Sequence, residues 1–329
     1  MIGQIVTGLN ASTAIDVFTG TTRVAQHLRQ LGIATSTSDL SWASTHYAAT
    51  FVHNVRDFSH LETAVREMSQ GETDGWLTAN YSGQGPQDAS RSDGRCFQAK
   101  NTRRADYARD WVDAADLSPA DKSVLITSII RGLDAVDNTV GVQQAYLKEW
   151  CKRSHNDVVF KLPAVVTGPT AHHYEGDCLK ADYETAEVAY LDPPYSPHAY
   201  STYYHIWDSI ARWDKPETAL KARRRLDRVA KAEGYDTTMS SPWNSSRTAL
   251  TAFIDLVTLL PVQHCVISYS DESLVDRTAL LSAMAEIGAT SVLEVDYRRN
   301  IMSQIGNAKV NGEPESGQTN KELVITVSK

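Results

Sequence analysis

Four consecutive residues, Asp192, Pro193, Pro194 and Tyr195, combine groups that could activate an amine. They follow residues 188–191, an apolar run typical of a buried strand. Two prolines prevent the backbone from continuing either a helix or a strand ladder, so the strand must end in a rigid turn. The carboxylate and the first proline carbonyl could then accept both hydrogens of one amino group, while the tyrosine ring stacks on a heterocycle. This arrangement suits methyl transfer to an exocyclic amine of a base, without a metal. A proline-capped strand with a packed tyrosine is the structural alternative.

A second strand end carries groups that could hold a nucleoside. Residues 13–18 predict a strand that leads into a turn of small residues, in which Gly20 would let a ligand approach the backbone. Asp39 ends the next predicted strand, 19 residues later (39 − 20), at the spacing of an acid that hydrogen-bonds a ribose. The three-glycine dinucleotide fingerprint and a Gly-Lys-Ser/Thr phosphate loop are both absent. An ordinary strand-to-helix turn therefore explains this pattern equally well.

The order of predicted elements indicates an α/β fold with a Rossmann-like, doubly wound sheet. Residues 13–40 read as strand, turn, helix and strand, which is how such a sheet begins. Later strands are predicted at 158–160 or 164–166, 187–195, 264–270, 290–298 and 322–328. Helices are predicted between them at 203–213, 219–233, 247–260 and 277–288. The last two strands flank a polar loop, so we expect a terminal β-hairpin at the sheet edge.

The strand rhythm disappears over residues 61–165. Helical spacing is found there at 61–70, 104–115 and 119–140, and residues 80–95 form a Gly/Ser-rich loop. We therefore expect an inserted, mainly helical region at 61–165 for target recognition, with 1–60 and 166–329 forming the catalytic domain.

Composition excludes several protein classes. The 329 residues are 42% hydrophobic and 22% charged, which disfavours a disordered or fibrous chain. A net charge of −8 argues against polyanion binding by the whole surface but permits a local basic face. The four cysteines form no Cys-x-x-Cys pair, so we expect reduced thiols and no metal site. No membrane span or secretory leader is evident, so a cytoplasmic protein is expected.

Several segments resemble the site-specific adenine-N6 DNA methyltransferases, the Dam-like class with an Asp-Pro-Pro-Tyr motif that includes modification enzymes of restriction systems. DVFTGTTRVA resembles their donor-binding turn, TSDL their ribose-binding acid, and EGDCLKA the acid that contacts the donor's adenine. YLDPPY and the segment behind it are similar to their catalytic strand and helix. The similarity extends in order through CFQAKNTRRADYARDWV, AVDNTVGVQQAYLKEW and VISYSDE, covering most of the chain.

The resemblance implies S-adenosylmethionine as methyl donor and a flipped adenine in double-stranded DNA as acceptor. Carried over by position, the donor would be bound by Asp16, Phe18, Thr19, Gly20, Asp39, Leu40, Asp177 and Cys178. The catalytic residues would be Asp192, Pro193, Pro194 and Tyr195. Asp177 precedes Asp192 by 15 residues (192 − 177), which suggests adjacent strand ends. Whether the chain is a monomer or a homodimer stays open, and a cognate restriction enzyme is a possible partner.

Two departures from the family pattern bear on donor binding. Thr22 stands where the family usually has a second glycine, and it could narrow the donor pocket. Relatives also place a segment resembling Tyr-x-Gly-Ser-Lys before the first strand, which MIGQIVTGLN does not match. Either the start is truncated, another segment substitutes, or donor binding is weak.

Candidate DNA contacts are less specific. Residues 221–231, KARRRLDRVAK, form the densest basic run, and its Arg224 could bind phosphate or belong to a solvated helix face. Arg103 and Arg104 could read guanine edges, bind phosphate or serve the structure. Tyr200 and Tyr204 could line the base pocket, although helical spacing makes core packing equally reasonable. His172 and His173 are expected on the surface, because no third ligand has metal spacing.

Three functions stay open at this stage. The first is adenine-N6 methylation of DNA. The second is transfer to cytosine N4, whose amine has the same geometry, although an initial aspartate in the motif disfavours it. The third is a catalytically weak subunit with the same fold that binds DNA or a protein partner.

Overall fold

A computed structural model describes residues 1–54, 57–83, 96–143, 146–147, 149–194, 197, 200–219, 224–228, 241–270, 273–298 and 319–329. The strands are β1 Thr13–Asp16, β2 Ala34–Asp39, β3 Ser82–Gly83, β4 Phe97–Gln98, β5 His173–Glu175, β6 Ala186–Leu191, β7 Val262–Ser270, β8 Ala289–Arg298 and β9 Thr319–Ser328. The α-helices are α1 Ile2–Gly8, α2 Arg23–Gln30, α3 Trp42–Phe51, α4 Glu62–Met68, α5 Trp76–Tyr81, α6 Ala99–Ala114, α7 Pro119–Asp134, α8 Tyr200–Tyr203, α9 His205–Arg212, α10 Ala249–Leu259 and α11 Arg277–Ile287.

Seven strands form one sheet in the order β5-β2-β1-β6-β7-β9-β8. The first five of these run parallel, whereas β9 pairs antiparallel with both β7 and β8. The predicted doubly wound sheet and its terminal hairpin at the edge are thereby confirmed. A separate two-stranded sheet pairs β3 with β4.

Apolar residues on both faces of the central strands explain why they lie inside the sheet. In β6, five of six residues are buried. On one face, Val188 and Val324 pack with Leu28 of α2 and Val6 of α1. On the other face, α10 and α11 cover Leu191, Ile267, Ile325 and their neighbours. Burial on both faces is the normal environment of parallel strands. Among the described residues, no helix is both long and apolar enough to cross a membrane.

The predicted helices of the inserted region are present as α4, α6 and α7. The start of α7 follows from its sequence, because Pro119 occupies the first turn and the Ser118 side chain accepts a hydrogen bond from the backbone of Asp121. These helices do not form an isolated core. Their apolar residues pack in one cluster with Ala43 of α3 and with Ile206 and Ile210 of α9.

Two predictions were wrong: the strand at 158–160 or 164–166, and the helix at 219–233. Neither 158–160 nor 164–166 is a strand. Val158 and Phe160 instead pack into the helical core, and the Val158 N–H donates to the Asn101 side chain, so this backbone needs no strand partner. The third parallel strand is the short, polar β5, which lacks the apolar pattern of a buried strand.

The helix predicted at 219–233 is likewise absent in its described part. Thr218 and Arg225 form an isolated antiparallel bridge, and Leu226–Arg228 form a single 3₁₀ turn. The Arg225 side chain explains the difference, because it bonds to Asp214 and Asp227 and holds the chain in a folded-back path.

Candidate active site

The carboxyl ends of three neighbouring strands bring Asp16, Asp39 and Asp192 together at the end of the sheet where the parallel strands finish, which we call the acidic edge. Strand β1 lies between β2 and β6, and the chain winds in opposite directions from it. Such a switch point is where open α/β sheets form their ligand crevice. The chain leaving β1 stays bonded to both neighbours: the Val17 N–H donates to the Tyr190 carbonyl at 3.0 Å, and the Thr19 N–H to the Ser38 carbonyl at 3.0 Å. These bonds fix the turn that follows.

The turn after β1 places a glycine at the open crevice. Gly20 has a φ of +49°, and a Cβ added there would meet nothing within 4 Å. Its N–H donates to one Asp39 carboxylate oxygen at 2.7 Å, while the Ser41 N–H donates to the other at 2.8 Å. The Asp39 carboxylate is therefore oriented by two backbone groups. Burial raises its pKa to about 6. The adjoining Leu40 is 44% exposed.

Thr22 occupies a backbone conformation that favours glycine. Its φ is +63°, in the left-handed region, and its side chain is fully buried. Its hydroxyl donates to the Thr21 carbonyl at 2.7 Å and accepts from the Gln26 side chain at 2.9 Å. The threonine that replaces the expected glycine is thus bonded within the turn.

Asp16 is the most deeply buried acid of the edge, with 1% of its surface exposed. One of its oxygens accepts from the Thr19 hydroxyl at 2.9 Å and from the Ala25 N–H at 3.2 Å. The other oxygen has no hydrogen-bond partner in the described part of the chain. Burial, with repulsion from Asp192, raises the Asp16 pKa to about 7. A bound ligand could satisfy the unpaired oxygen, whose isolation otherwise costs stability.

Asp192 follows β6 directly and keeps access to solvent, whereas Pro193 is buried and Pro194 half-buried. The surrounding strand ends reduce the hydration of the Asp192 carboxylate, and Glu322 repels it, so its pKa is raised to about 7. Tyr195 lies outside the described residues. Carboxyl groups with strongly raised pKa values that share a crevice are typical of functional sites.

Phe18 and Cys178 connect this edge to the core beneath it. Phe18 is half-buried and meets the ring of Trp243 edge-on, with centroids 5.1 Å apart. Cys178 is 6% exposed, and burial raises the pKa of its thiol to about 12. Its side chain therefore belongs to the core cluster that Phe18 also joins.

The expectation that Asp177 and Asp192 occupy adjacent strand ends was wrong. Asp177 follows β5, which pairs with β2, so two strands separate it from β6. It lies instead beside Asp39, since the Gly176 N–H donates to the Asp39 carbonyl at 2.8 Å. Its carboxylate accepts from the Leu179 N–H at 3.1 Å and pairs with Lys180 at 3.4 Å.

Asp208, which the sequence patterns did not single out, joins the crevice to α9. It is 2% exposed, and one of its oxygens accepts from the Ser41 hydroxyl at 2.7 Å and from the Ala43 N–H at 3.3 Å. It thereby satisfies the first turn of α3, directly after Asp39. The signal in the sequence is an acid among the apolar residues of an amphipathic helix.

Aromatic residues follow the proline turn. Tyr200 is 37% exposed, and its ring centroid lies 5.9 Å from that of Tyr204. Tyr204 packs against the helical core, and the neighbouring His205 and Trp207 are buried. Tyr200 is therefore the tyrosine of this pair that presents more surface to a ligand.

The basic candidates differ in their surroundings. Arg103 and Arg104 form exposed ion pairs, at 2.7 Å with Asp74 and at 3.1 Å with Glu72. Arg224 is half-buried, and its Nε has no partner among the described residues. In the described part of the chain, no hydrogen bond or ion pair links these three arginines to Asp16, Asp39 or Asp192.

One of the two histidines expected on the surface is not there. His172 is exposed, but His173 is half-buried in β5 and hydrogen-bonds the hydroxyls of Thr37 at 2.9 Å and Thr45 at 3.1 Å. Within the described ranges, no group of three or more His, Cys, Asp or Glu side chains could hold a metal ion.

The comparisons with known proteins agree on one family. The chain is 27% identical over 219 residues to the modification methylase LlaI of Lactococcus lactis subsp. lactis, covering 65% of this chain and 33% of that protein. It is 24% identical over 306 residues to the modification methylase StsI of Streptococcus sanguinis, covering 87% and 44%. It is 23% identical over 220 residues to the type II methyltransferase M.NlaIII of Neisseria lactamica, covering 64% and 61%.

The chain thus spans from a third to about three fifths of the length of these relatives. The family match runs from residue 1 through the turn after β1, the helices α4, α6 and α7 and the proline turn to α9. Residues 1–255 match the D12 class N6 adenine-specific DNA methyltransferases, and the chain belongs to that family.

Proposed function

We propose that this chain transfers a methyl group from S-adenosylmethionine to the N6 amine of an adenine in double-stranded DNA. The observation that carries the proposal is the position of Asp192 and Pro193 at the carboxyl end of β6, beside the turn that follows β1. In a chain of this family, the two sides of the crevice would hold the acceptor and the donor.

The crevice fits a cationic nucleoside such as S-adenosylmethionine. Gly20 leaves open space against the backbone, and the Asp39 carboxylate is oriented for ribose hydroxyls. The unpaired oxygen of Asp16 could accept a hydrogen bond from the ligand. Phe18, Thr19, Leu40, Asp177 and Cys178 would complete the donor site. When bound, S-adenosylmethionine supplies an electrophilic methyl group on a positively charged sulfur, and that sulfur keeps the electron pair of the broken S–C bond.

On the acceptor side, the Asp192 carboxylate and the Pro193 carbonyl would accept the two hydrogens of N6. These bonds favour a pyramidal nitrogen whose lone pair is free to attack. As the N–CH₃ bond forms, N6 loses one proton, which Asp192 receives and passes to water. Pro194 would keep the turn rigid, and Tyr195, with Tyr200 and Tyr204, would hold the flipped base by stacking.

The basic residues would hold the DNA backbone while the base is outside the helix. Exposed ion pairs such as those of Arg103 and Arg104 contribute little, so both side chains can exchange a carboxylate for a phosphate. Arg224 would add a third phosphate contact. DNA binding should therefore weaken steeply as salt concentration rises. A restriction enzyme of matching specificity is the expected biological partner.

Nucleoside mass spectrometry tests this function. The purified chain is incubated with labelled S-adenosylmethionine and unmethylated DNA of mixed sequence, which is then digested. We expect labelled N6-methyladenine with the parent chain and with Asp255→Ala, a control at an exposed acid of α10, but none with Asp192→Ala. Labelled N4-methylcytosine would overturn the adenine assignment. No product together with no donor binding would indicate a binding subunit instead.

A further inference from the structure

Strand β9 carries an acid, Glu322, at the same edge of the sheet. It pairs with Ser270 in β7, and the Ser268 hydroxyl of that strand donates to its carboxylate at 2.5 Å. The Glu322 residue is half-buried. The serine hydroxyl therefore holds the carboxylate against β7, rather than leaving it free in solvent.

The strand register places Glu322 on the same face of the sheet as Asp192. Leu191 of β6 pairs with Ile267 of β7, so the next residues, Asp192 and Ser268, are level with one another. Because successive side chains alternate between faces, Asp192 and Ser268 share a face. Glu322 bonds to Ser268 and so lies on that face as well.

Asp16 and Tyr190 lie on this face of the sheet too. They pair with each other across β1 and β6, and Tyr190 packs with Val266 and Val324 on the face that α1 and α2 cover. Asp16 is level with Tyr190, Asp192 with Ser268, and Glu322 with Ser270, so the three acids step diagonally across one face of the sheet. Among the described residues, Asp16, Tyr190 and Glu322 are the titratable groups that share this face with Asp192 on β1, β6 and β9.

Glu322 acts on Asp192 through its charge. Repulsion from Glu322 adds to the reduced hydration of the Asp192 carboxylate in raising its pKa, and it adds to burial and to repulsion from Asp192 in raising the pKa of Tyr190. A carboxylate kept basic accepts hydrogen bonds more strongly and takes up a departing proton more readily. That property is what the acceptor of the two N6 hydrogens requires.

We propose that Glu322 is a positioning residue for methyl transfer: fixed by Ser268, it keeps the Asp192 carboxylate a strong acceptor for the protons of the target amine. This role rests on the proposed function, because Asp192 has a target amine only if the chain methylates DNA. The electrostatic pairing of the two carboxyl groups can nevertheless be measured without any substrate.

The first test is a titration of the free protein with ¹³C-labelled aspartate carboxyl groups, followed by NMR. The Asp192 signal is assigned by its loss in Asp192→Asn. In Glu322→Gln, which keeps an acceptor for Ser268 but removes the charge, we expect the Asp192 midpoint to move to lower pH. Glu294→Gln, at an acid of β8 that pairs with Arg277 and Lys321, should leave it unchanged. An unchanged midpoint in Glu322→Gln would overturn the inference.

The second test follows kcat/KM for DNA methylation against pH. In the parent, kcat/KM should rise with pH through about 7 as Asp192 ionises. In Glu322→Gln, the acid limb should move to lower pH, and the plateau should fall roughly threefold, because a weaker base accepts the proton less readily. Glu322→Asp retains the charge and should keep the acid limb of the parent.

The outcomes separate the two proposals. A parent chain without methyl transfer contradicts the proposed function, whatever the titration shows. A parent that methylates DNA, with Glu322→Gln showing the same acid limb, contradicts the role of Glu322. The same displacement in Glu322→Asp as in Glu322→Gln would also contradict it, since charge would then not be the cause.

Discussion

At the residue scale, the site contains carboxyl groups in an environment that disfavours their ionised form. The pKa is raised to about 7 for Asp16 and Asp192 and to about 6 for Asp39, in each case first because the surrounding strand ends limit the hydration of the carboxylate. An acid that is harder to ionise in the folded chain than in the unfolded chain lowers stability at neutral pH. These residues are therefore expected to serve function at the expense of stability.

Replacing Asp16 by asparagine should stabilise the protein at high pH. The folded pKa of about 7 exceeds the unfolded value, so the parent loses stability as pH rises from about 4 to about 7. Asp16→Asn removes that loss, and its free energy of unfolding at pH 8 should exceed that of the parent by an amount on the order of 1 kcal/mol. The difference should vanish near pH 4. Urea unfolding of both chains between pH 4 and 8 measures it.

Glu187→Gln supplies the matched control with the opposite sign. One oxygen of the half-buried Glu187 accepts hydrogen bonds from the N–H and hydroxyl groups of Ser12 and Thr13, which lower its pKa to about 2. Its contribution is present above the unfolded pKa and is lost as pH falls toward 2. Glu187→Gln should thus destabilise the chain at pH 7. A stability gain at pH 8 in both variants would contradict the explanation given for Asp16.

Sequence patterns locate some site residues and miss others for a physical reason. Asp192 stands in a rare motif after an apolar run, and Asp39 follows Gly20 at the spacing expected of a ribose-binding acid. Short-range sequence patterns therefore predict both residues. Asp208 and Glu322 reach the crevice only through tertiary contacts, with Ser41 and Ser268 respectively. No spacing along the chain encodes those contacts.

At the element scale, one buried arginine anchors the segment behind the site. Arg225 is 1% exposed and makes two hydrogen bonds to Asp214, at 2.8 and 2.7 Å, and two to Asp227, at 3.0 and 2.9 Å. Its guanidinium also lies 5.0 Å from the ring centroid of Trp42, at the start of α3. The charge run that predicted a DNA-binding helix therefore contains a residue whose cation is used inside the protein.

Loss of this anchor should destabilise the chain strongly. Arg225→Ala leaves Asp214 and Asp227 without their shared cation, and because both are partly exposed we expect a cost of about 2 kcal/mol. Arg225→Lys should recover little, since an ammonium cannot bond two carboxylates in the planar fork geometry. Denaturant unfolding of each variant measures the effect.

Arg212 is the control for this prediction. It lies 4.1 Å from the ring centroid of the same tryptophan, Trp42, but is 49% exposed, and among the described residues it pairs only with Asp214, at 3.5 Å. Arg212→Ala should therefore cost less than about 1 kcal/mol. Equal losses from Arg212→Ala and Arg225→Ala would show that burial of Arg225 is not what matters.

At the scale of the whole molecule, the helical region and the sheet share a hydrophobic core and hydrogen bonds. Ile206 and Ile210 of α9 lie in the same core cluster as α4, α6 and α7, and α9 also bonds to the start of α3 through Asp208. A division into a recognition region and a catalytic domain remains a proposal. The shared core indicates that the two regions unfold together.

Ile210→Ala should test this connection. The residue is fully buried, so the truncation should cost about 3 kcal/mol. We expect each chain to unfold in one cooperative transition. Circular dichroism and tryptophan fluorescence should give the same midpoint as one another in the parent, and again in the variant, where that shared midpoint is lower. Two separated transitions, of which only one moves in Ile210→Ala, would show that the regions unfold independently.

The fold could be predicted where the sequence has a strong local pattern. The apolar runs of β6 and β7, the opening β1-α2-β2 unit and the hairpin of β8 and β9 all have such patterns. The polar β5 does not, because its stability depends on pairing with β2 at His173–Glu175. Residues 158–160 have an apolar strand-like pattern, but Val158 and Phe160 pack against helices. Removing apolar surface from water lowers the free energy whatever the backbone conformation, so an apolar pattern alone does not specify a strand.

The most direct measurement of the central claim is the rate of methyl transfer to DNA by Asp192→Ala in a single turnover, with donor binding followed by calorimetry. In the proposed mechanism, Asp192 serves the acceptor amine, whereas Asp39 and Gly20 serve the methyl donor. We expect Asp192→Ala to bind S-adenosylmethionine like the parent chain and to transfer its methyl group at least about 100-fold more slowly. A rate equal to that of the parent would contradict the account.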